Sequence, residues 1–169
     1  MINQEIVPQA FVLNKILKHL AYEGRWEEVY SLSQVMSKYG TSLNEESHNT
    51  ILLSMGTAGK IQEMQNYFEK MLKQGMQPTI ATFNTMIKCS GRFGVTGLLL
   101  DCLKWMKERK VRPDGSTFHF VLFTFLGRGE YARCLELYKS LREQGGSPNQ
   151  TCIQLVKKRM QHTQNKAIP

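Results

Sequence analysis

The sequence predicts an all-α fold, an α-solenoid (superhelix) of stacked helix-turn-helix repeats with a C-terminal capping helix. One glycine recurs at intervals of 35 residues, at Gly24, Gly59, Gly94 and Gly129. Stretches with apolar residues at helical spacing lie on both sides of each glycine. A proline recurs with the same interval, at Pro78, Pro113 and Pro148. A fixed period of this size is typical of proteins built from stacked repeats.

The recurrence divides the chain into four repeats with short ends. The predicted boundaries are 1–9 for an N-terminal extension, 10–44, 45–79, 80–114 and 115–149 for the repeats, and 150–169 for a basic capping helix and tail. The glycine at the fifteenth place should end the first helix of each repeat, because it tolerates a positive φ. A second amphipathic helix follows, most clearly in residues 60–74. Neither helix can bury its apolar face alone, so the repeats are expected to stack.

The composition is that of a folded and basic protein. The chain has 169 residues, 41% hydrophobic and 21% charged, with a formal net charge of +8. The positive surplus lies in the C-terminal half, since residues 80–114 carry seven Lys and Arg against three Asp and Glu. This balance favours an anionic partner. No apolar run is long enough to cross a bilayer, so we expect no membrane partner.

No sequence motif indicates catalysis or metal binding. The four cysteines (Cys89, Cys102, Cys134 and Cys152) form no CxxC pair, and the four histidines have no HxE or HExxH context. Metal sites in compact motifs need such spacings. We expect the cysteines to be free thiols packed as small apolar groups. The chain is accordingly not expected to be an enzyme, to hold a metal or cofactor, or to have a small-molecule substrate.

The repeats resemble those of the pentatricopeptide repeat (PPR) family, whose unit is about 35 residues long. The resemblance covers residues 10–149 and rests on Phe83-Asn84-Thr85-Met86-Ile87, Gly94, Met106 and Pro113-Asp114, with a second set at His48-Asn49-Thr50-Ile51-Leu52, Ala58-Gly59, Tyr67-Phe68, Met71, Gly75 and Pro78. Tetratricopeptide repeats run at about 34 residues and place a Trp in the first helix. Here Trp26 and Trp105 fall in predicted second helices.

The resemblance implies binding of single-stranded RNA in a mitochondrion or plastid, with one base for each repeat. In the family, the fifth and last residues of a repeat read the base. The corresponding base-reading pairs are Asn14 with Asn44, Asn49 with Thr79, Asn84 with Asp114, and His119 with Asn149. The resemblance assigns uracil to Asn with Asp, a pyrimidine and more often cytosine to Asn with Asn, and a weak pyrimidine preference to Asn with Thr. His with Asn lies outside the usual code.

Basic residues on or near the same face are expected to contact the RNA backbone, namely Lys18, Lys88, Arg92 and Arg128. Two features depart from this interpretation. The place that grips the base, usually Val or Ile in the family, holds Phe11, Glu46, Ala81 and Ser116. For any single Asn or Asp, capping of a helix is an alternative, because such side chains satisfy free backbone groups.

Two functions remain open. The first is an organellar RNA-binding protein that acts in RNA processing, splicing, stability or translation. The second is a structural subunit of a large organellar ribonucleoprotein, such as a mitochondrial or plastid ribosome, with ribosomal RNA and other proteins as partners. Contacts to an RNA backbone need positive charge and no base-reading code, so both functions fit the sequence. No Arg- and Ser-rich transit segment opens the sequence, so the organelle is implied by the resemblance alone.

Overall fold

The computed structural model describes residues 10–40 and 43–165, and the side-chain surroundings of residues 11–40 and 43–158. This part of the chain contains nine helices and no strand: α1 (Ala10–Tyr22), α2 (Trp26–Lys38), α3 (Glu45–Thr57), α4 (Ile61–Lys73), α5 (Ile80–Arg92), α6 (Thr96–Glu108), α7 (Gly115–Gly127), α8 (Tyr131–Glu143) and α9 (Gln150–Asn165). The predicted extension, residues 1–9, and the last residues of the predicted tail, 166–169, lie outside it. The predicted all-α, helical-repeat class is confirmed.

The helices recur with the period of the sequence, because glycines end them at matching places. Gly59 and Gly94 have φ values of 77° and 73°, which confirms that they are helix-end glycines. Gly40, Gly75 and Gly145 have positive φ in the turn after a second helix. Lys110 stands at the same place after α6 and has a φ of 57°, which makes it the one non-glycine residue with positive φ among the described residues.

The chain divides into two compact units, which meet in sequence between Gln77 and Pro78. In the N-terminal unit, α1 packs against α2 and α3, and α3 packs against α2 and α4. Its core consists of fully buried apolar side chains, which include Leu17, Val29, Met36, Ile51, Leu52, Met64 and Phe68. Removal of this apolar area from water is the main force that holds the unit together.

In the C-terminal unit, α5 packs against α6 and α7, and α7 packs against α8 and α9. Its core includes Phe83, Met86, Ile87, Leu99, Cys102, Met106, Phe118, Val121 and Phe125. The predicted capping helix, α9, buries Cys152 and Val156. Among the described residues, no helix is long and apolar enough to span a bilayer.

Helical spacing gives each row of side chains on α7 a different neighbour. Thr117, at the third place of its repeat, is buried and hydrogen-bonds to α5. Phe118, at the fourth place, is buried and meets Tyr138 of α8 edge-on, with ring centroids 5.4 Å apart. His119 and Phe123, at the fifth and ninth places, are exposed. The fifth and ninth places therefore lie on the open face of α7.

Candidate nucleic-acid interface

The predicted pair of Asn84 and Asp114 is brought together by a third residue. Asn84 Nδ2 donates a hydrogen bond to Asp114 Oδ1 at 3.0 Å. Thr117 Oγ1 donates to Asn84 Oδ1 at 2.7 Å and accepts from the Asp114 backbone N–H at 3.2 Å. The Thr117 backbone N–H donates to Asp114 Oδ1 at 2.9 Å. Both oxygen and nitrogen of the Asn84 amide are therefore held in one orientation.

The pair of Asn14 and Asn44 in the N-terminal unit is also bridged by a hydroxyl, that of Ser47. Ser47 Oγ donates to Asn14 Oδ1 at 2.7 Å and lies 2.6 Å from Asn44 Oδ1. The Ser47 backbone N–H donates to Asn44 Oδ1 at 2.8 Å. Ser47 and Thr117 both stand at the third place of a repeat, where a hydroxyl recurs in the sequence. Our sequence interpretation missed this bridging role, although the recurrence is visible as Ser47, Thr82 and Thr117.

Asn49 and Thr79 belong to different compact units. Asn49 is half-buried on α3. Thr79 begins α5 in a capping box, in which its backbone N–H donates to Thr82 Oγ1 at 3.2 Å. Thr79 thus begins α5 with a capping box like the one that Asp114 forms at α7.

The fourth pair, His119 and Asn149, has a different arrangement. Asn149 Oδ1 accepts from the Cys152 backbone N–H at 2.8 Å and so caps α9. Cys152 occupies the third place and offers a thiol where Thr117 offers a hydroxyl. His119 is exposed, and its ring stacks on Phe123 with centroids 6.1 Å apart and an interplanar angle of 22°. The fourth pair therefore lacks the hydroxyl bridge.

Helix capping, the alternative given by the sequence, is present at these positions. Asn44 and Asp114 cap α3 and α7 through one side-chain oxygen. Burial of the Asp114 carboxyl acts to raise its pKa, but hydrogen bonds from Thr117, Asn84 and the Ser116 backbone outweigh it and hold the pKa below its usual value. Asp114 is therefore a carboxylate at neutral pH. Capping and base reading are compatible, because the Asn84 and Asp114 side chains remain half-exposed.

The four predicted backbone cations fall into two classes. Lys18 pairs with Glu46 at 2.5 Å, and Arg128 pairs with Glu130 at 2.7 Å. Lys88 and Arg92 are exposed on α5 and form no ion pair with any described residue. The Arg92 guanidinium lies 5.6 Å from the centroid of the Phe93 ring. Lys88 and Arg92 therefore keep an uncompensated positive charge on the helix that carries Asn84.

The residues at the predicted base-gripping place are all exposed, namely Phe11, Glu46, Ala81 and Ser116. Lys15 Nζ lies 4.4 Å from the centroid of the Phe11 ring. The carboxylate of Glu46 is neutralised locally by Lys18, which reduces the repulsion that we expected between Glu46 and an RNA backbone.

The cysteines are free and buried, as the sequence predicts. Burial raises the pKa of Cys89 to about 11, of Cys102 to about 12 and of Cys134 to about 11. Lys88 and Arg92 lower the pKa of Cys89 slightly without reversing this effect. These thiols stay protonated at neutral pH and are poor nucleophiles and metal ligands. The described residues contain no cluster of His, Cys, Asp and Glu suited to a metal ion.

Comparison with known proteins identifies the repeat. Residues 46–92 match the PPR repeat family. Comparison with curated proteins gave no match. The solved structure of the PPR domain of Arabidopsis thaliana protein-only RNase P 1 in complex with tRNA is similar, with a TM-score of 0.73 and 20% identity over 92% of this chain and 82% of that one.

Two structures of the pentatricopeptide repeat protein PPR10 are also similar. PPR10 from maize gives a TM-score of 0.71 and 15% identity over 84% of this chain and 20% of that one. PPR10 in complex with an 18-nt psaJ RNA element gives a TM-score of 0.66 and 24% identity over 83% of this chain and 21% of that one. This chain thus spans about a fifth of the PPR10 chains. At these identities the likeness shows the fold, an all-α helical repeat, and the PPR family match itself covers residues 46–92.

Proposed function

We propose that this short array of pentatricopeptide repeats binds single-stranded RNA, and that α5 and α7 of the C-terminal unit supply a main contact surface. The observation that carries the proposal is the position of the Asn84–Thr117–Asp114 set beside two unpaired cations. Asn84, Lys88 and Arg92 follow one another at intervals of four residues on α5. Such residues share one side of a helix. A base and its neighbouring phosphates can therefore contact one surface.

The chemistry of the Asn84 set favours uracil. Asp114 is an ionised acceptor, and the Asn84 amide keeps one N–H beyond the one that it donates to Asp114. Uracil presents a ring N–H donor next to a carbonyl acceptor, which complements a carboxylate next to an amide donor. Cytosine presents an unprotonated ring nitrogen at the same place and would face the carboxylate as acceptor against acceptor. The uracil preference implied by the family resemblance thus has a physical reason here.

The experiment is a measurement of RNA affinity against salt concentration. The double variant Lys88→Ala/Arg92→Ala should lose affinity for all RNA sequences alike. Its log–log salt slope should fall by about 1.4, because each phosphate contact on a single strand contributes about 0.7. The matched control is Lys104→Ala/Lys107→Ala, which removes the same charge from exposed positions on α6.

The control variant should retain most of the wild-type salt slope, because only the general attraction of the positive protein is reduced. Equal losses in the two double variants would show that charge acts without a defined surface. Absence of measurable binding to any single-stranded RNA, at low salt, would overturn the proposal itself.

The proposal includes a non-catalytic role in RNA processing, splicing, stability or translation within a mitochondrion or plastid. The likeness to protein-only RNase P 1 concerns its PPR domain, which supports binding rather than catalysis. The organelle is supported by the family resemblance. Fractionation of cells of the source organism, followed by detection of the protein in isolated organelles, tests that part.

A structural role in a large organellar ribonucleoprotein, such as a ribosome, is the second candidate. It is supported by the charge pairing of Lys18 with Glu46 and Arg128 with Glu130, which leaves fewer cations for an RNA read base by base. It is also supported by the fourth repeat, which lacks the hydroxyl bridge. Crosslinking and sequencing of the bound RNA separates the candidates: one dominant site in ribosomal RNA favours the structural role, and a messenger or intron site favours the first.

A further inference from the structure

The open face of α7 carries a pair of aromatic rings that the core does not use. Phe123 is 74% exposed, whereas Phe118 and Phe125 of the same helix are fully buried. His119 lies one turn before Phe123, and the two rings stack at 6.1 Å with an angle of 22°. Phe120, half-buried, meets His119 edge-on at 5.7 Å and 72° and supports its orientation. The two exposed rings thus offer aromatic surface to solvent.

The position of these rings relates them to the cations of α5. Asn84 and Lys88 hold the fifth and ninth places of the third repeat, and His119 and Phe123 hold the same places of the fourth. Since α5 and α7 are neighbours joined by the Asn84–Thr117 hydrogen bond, equal places face the same side. The column of Asn84, Lys88 and Arg92 therefore lies next to the aromatic column.

Exposed aromatic rings beside unpaired cations fit an unstacked nucleobase on a polyanion better than an apolar protein segment. An RNA strand offers a phosphate to the cations and a planar base to the rings at adjacent points. The fourth repeat is also poorly suited to reading a base edge, because Cys152 supplies no hydroxyl that could hold the fifth-place side chain in one orientation. Every base has a flat face, so stacking at this repeat would tolerate any sequence.

We propose that His119 and Phe123 form a stacking platform for one nucleobase of a bound single-stranded RNA, and that the fourth repeat holds this base without reading its identity. This inference rests on the proposed RNA binding. It assigns Phe123, for which the base-reading pattern has no role, to the RNA surface. It also gives His119 a contact through its ring face instead of its ring nitrogens.

The test uses the whole chain and a series of short RNAs in which one abasic nucleotide is moved through the sequence. Wild type should lose affinity sharply when the abasic site reaches the nucleotide on the platform, and exchange among the four bases there should have little effect. Phe123→Ala should bind intact RNA roughly 5- to 100-fold more weakly, in line with the loss of one stacked base. It should also become insensitive to the abasic site at that nucleotide.

Three further variants make the result specific. Phe123→Trp should keep the wild-type affinity, whereas Phe123→Leu, which stays apolar and cannot stack, should resemble Phe123→Ala. Tyr39→Ala removes an exposed ring after α2 and should bind as wild type. Thermal unfolding should be unchanged in the Phe123 variants, since the side chain is mostly in solvent.

The outcomes separate this inference from the proposed function. If wild type shows salt-dependent RNA binding and Phe123→Ala binds equally well, the platform is overturned and RNA binding stands. If Phe123→Leu binds as wild type, the surface makes an apolar contact with RNA or with a protein, and stacking is overturned. If wild type binds no RNA, the proposed function is overturned, and the stacking platform is overturned with it.

Discussion

The third and fourth repeats of the C-terminal unit hold equivalent places differently. In the third, Asn84 and Asp114 are joined through the Thr117 hydroxyl into one hydrogen-bonded set. In the fourth, Cys152 stands in place of Thr117 and offers no hydroxyl, and His119 stacks on Phe123. The first helices of the two repeats, α5 and α7, are both 13 residues long and begin at the same place of the repeat.

This difference shows that the repeat backbone determines the position of a side chain, whereas its contacts and chemical role depend on the neighbouring residues. The backbone supplies a fifth place on the open face in both repeats. A hydroxyl at the third place of the next repeat then decides whether an amide there is held in one orientation. A side chain with fixed donors and acceptors can discriminate between bases, whereas an exposed ring offers contact without discrimination.

Thr117→Val should have the largest effect on stability. Thr117 is fully buried, and its hydroxyl serves Asn84 Oδ1 and the Asp114 backbone N–H. Valine has a similar shape and leaves both groups without this partner, at a cost of roughly 2–3 kcal/mol. Urea unfolding followed by the fluorescence of Trp105, in a Trp26→Phe background, measures the C-terminal unit.

Thr85→Val is the matched control on the open side of α5. The Thr85 hydroxyl donates only to the Ala81 carbonyl within its own helix, at 2.9 Å. Its loss should change the free energy of unfolding by less than about 0.5 kcal/mol. Equal effects of the two substitutions would contradict the special role of the hydroxyl bridge.

Gly91→Ala tests the close approach of α5 and α7 that brings the Asn84 set together. A Cβ at Gly91 would lie 2.2 Å from Thr124 Oγ1, so the Thr124 side chain must rotate away from the Phe120 carbonyl to which it donates, or the two helices must move apart. Overpacking of this kind should cost about 1–2 kcal/mol and loosen the Asn84–Thr117 contact. At Gly97, on α6, nothing lies within 4 Å of such a Cβ. Gly97→Ala should therefore be neutral or slightly stabilising, and a loss as large as that of Gly91→Ala would refute the steric explanation.

Asp114→Asn tests whether the third repeat, unlike the fourth, recognises a particular base. It exchanges a carboxylate acceptor for an amide that can donate, which removes the complement to the uracil ring N–H. The preference for uracil at one RNA position should shift toward cytosine by about 1 kcal/mol, the lower end of the range for one base-edge contact. Competition binding with RNAs that vary at single positions measures the shift. Wild-type binding without any base preference at any position would show that the Asn84 set acts only as a helix cap.

Much of the fold could be predicted from the sequence because its determinants are local. Helix-end glycines such as Gly59 need positive φ, and their recurrence gives the helix bounds directly. Lys110 has the same positive φ but is not a glycine. At this place the turn is therefore predicted only by the 35-residue period. Local backbone chemistry and repetition thus account for the predicted hairpins.

The candidate site was predicted less completely because its geometry depends on contacts between helices. Asn84 and Thr117 are 33 residues apart and meet only because α5 packs on α7. The pairing of Lys18 with Glu46 likewise depends on the packing of α1 on α3. The spacing of the apolar residues places Phe123 on a helix. Its exposure could not be predicted, because it depends on which side of α7 is left uncovered by α5, α8 and α9.

The pH dependence of stability offers the smallest expected effect and tests the charge of Asp114 by itself. The folded-state pKa of this carboxyl lies below its usual value, so its charged form stabilises the fold above about pH 4 and this contribution disappears as the pH falls through the folded pKa. Asp114→Asn keeps an N-cap oxygen and lacks the charge, which at a helix N-terminus is worth about 0.3–1 kcal/mol. The difference in unfolding free energy between wild type and variant should therefore favour wild type at pH 6 and shrink toward pH 3. Other carboxyl groups titrate equally in both proteins and cancel in the difference. A difference that stays constant from pH 6 to pH 3 would mean that the Asp114 charge does not stabilise this set, and that the Thr117 hydroxyl alone distinguishes the third repeat from the fourth.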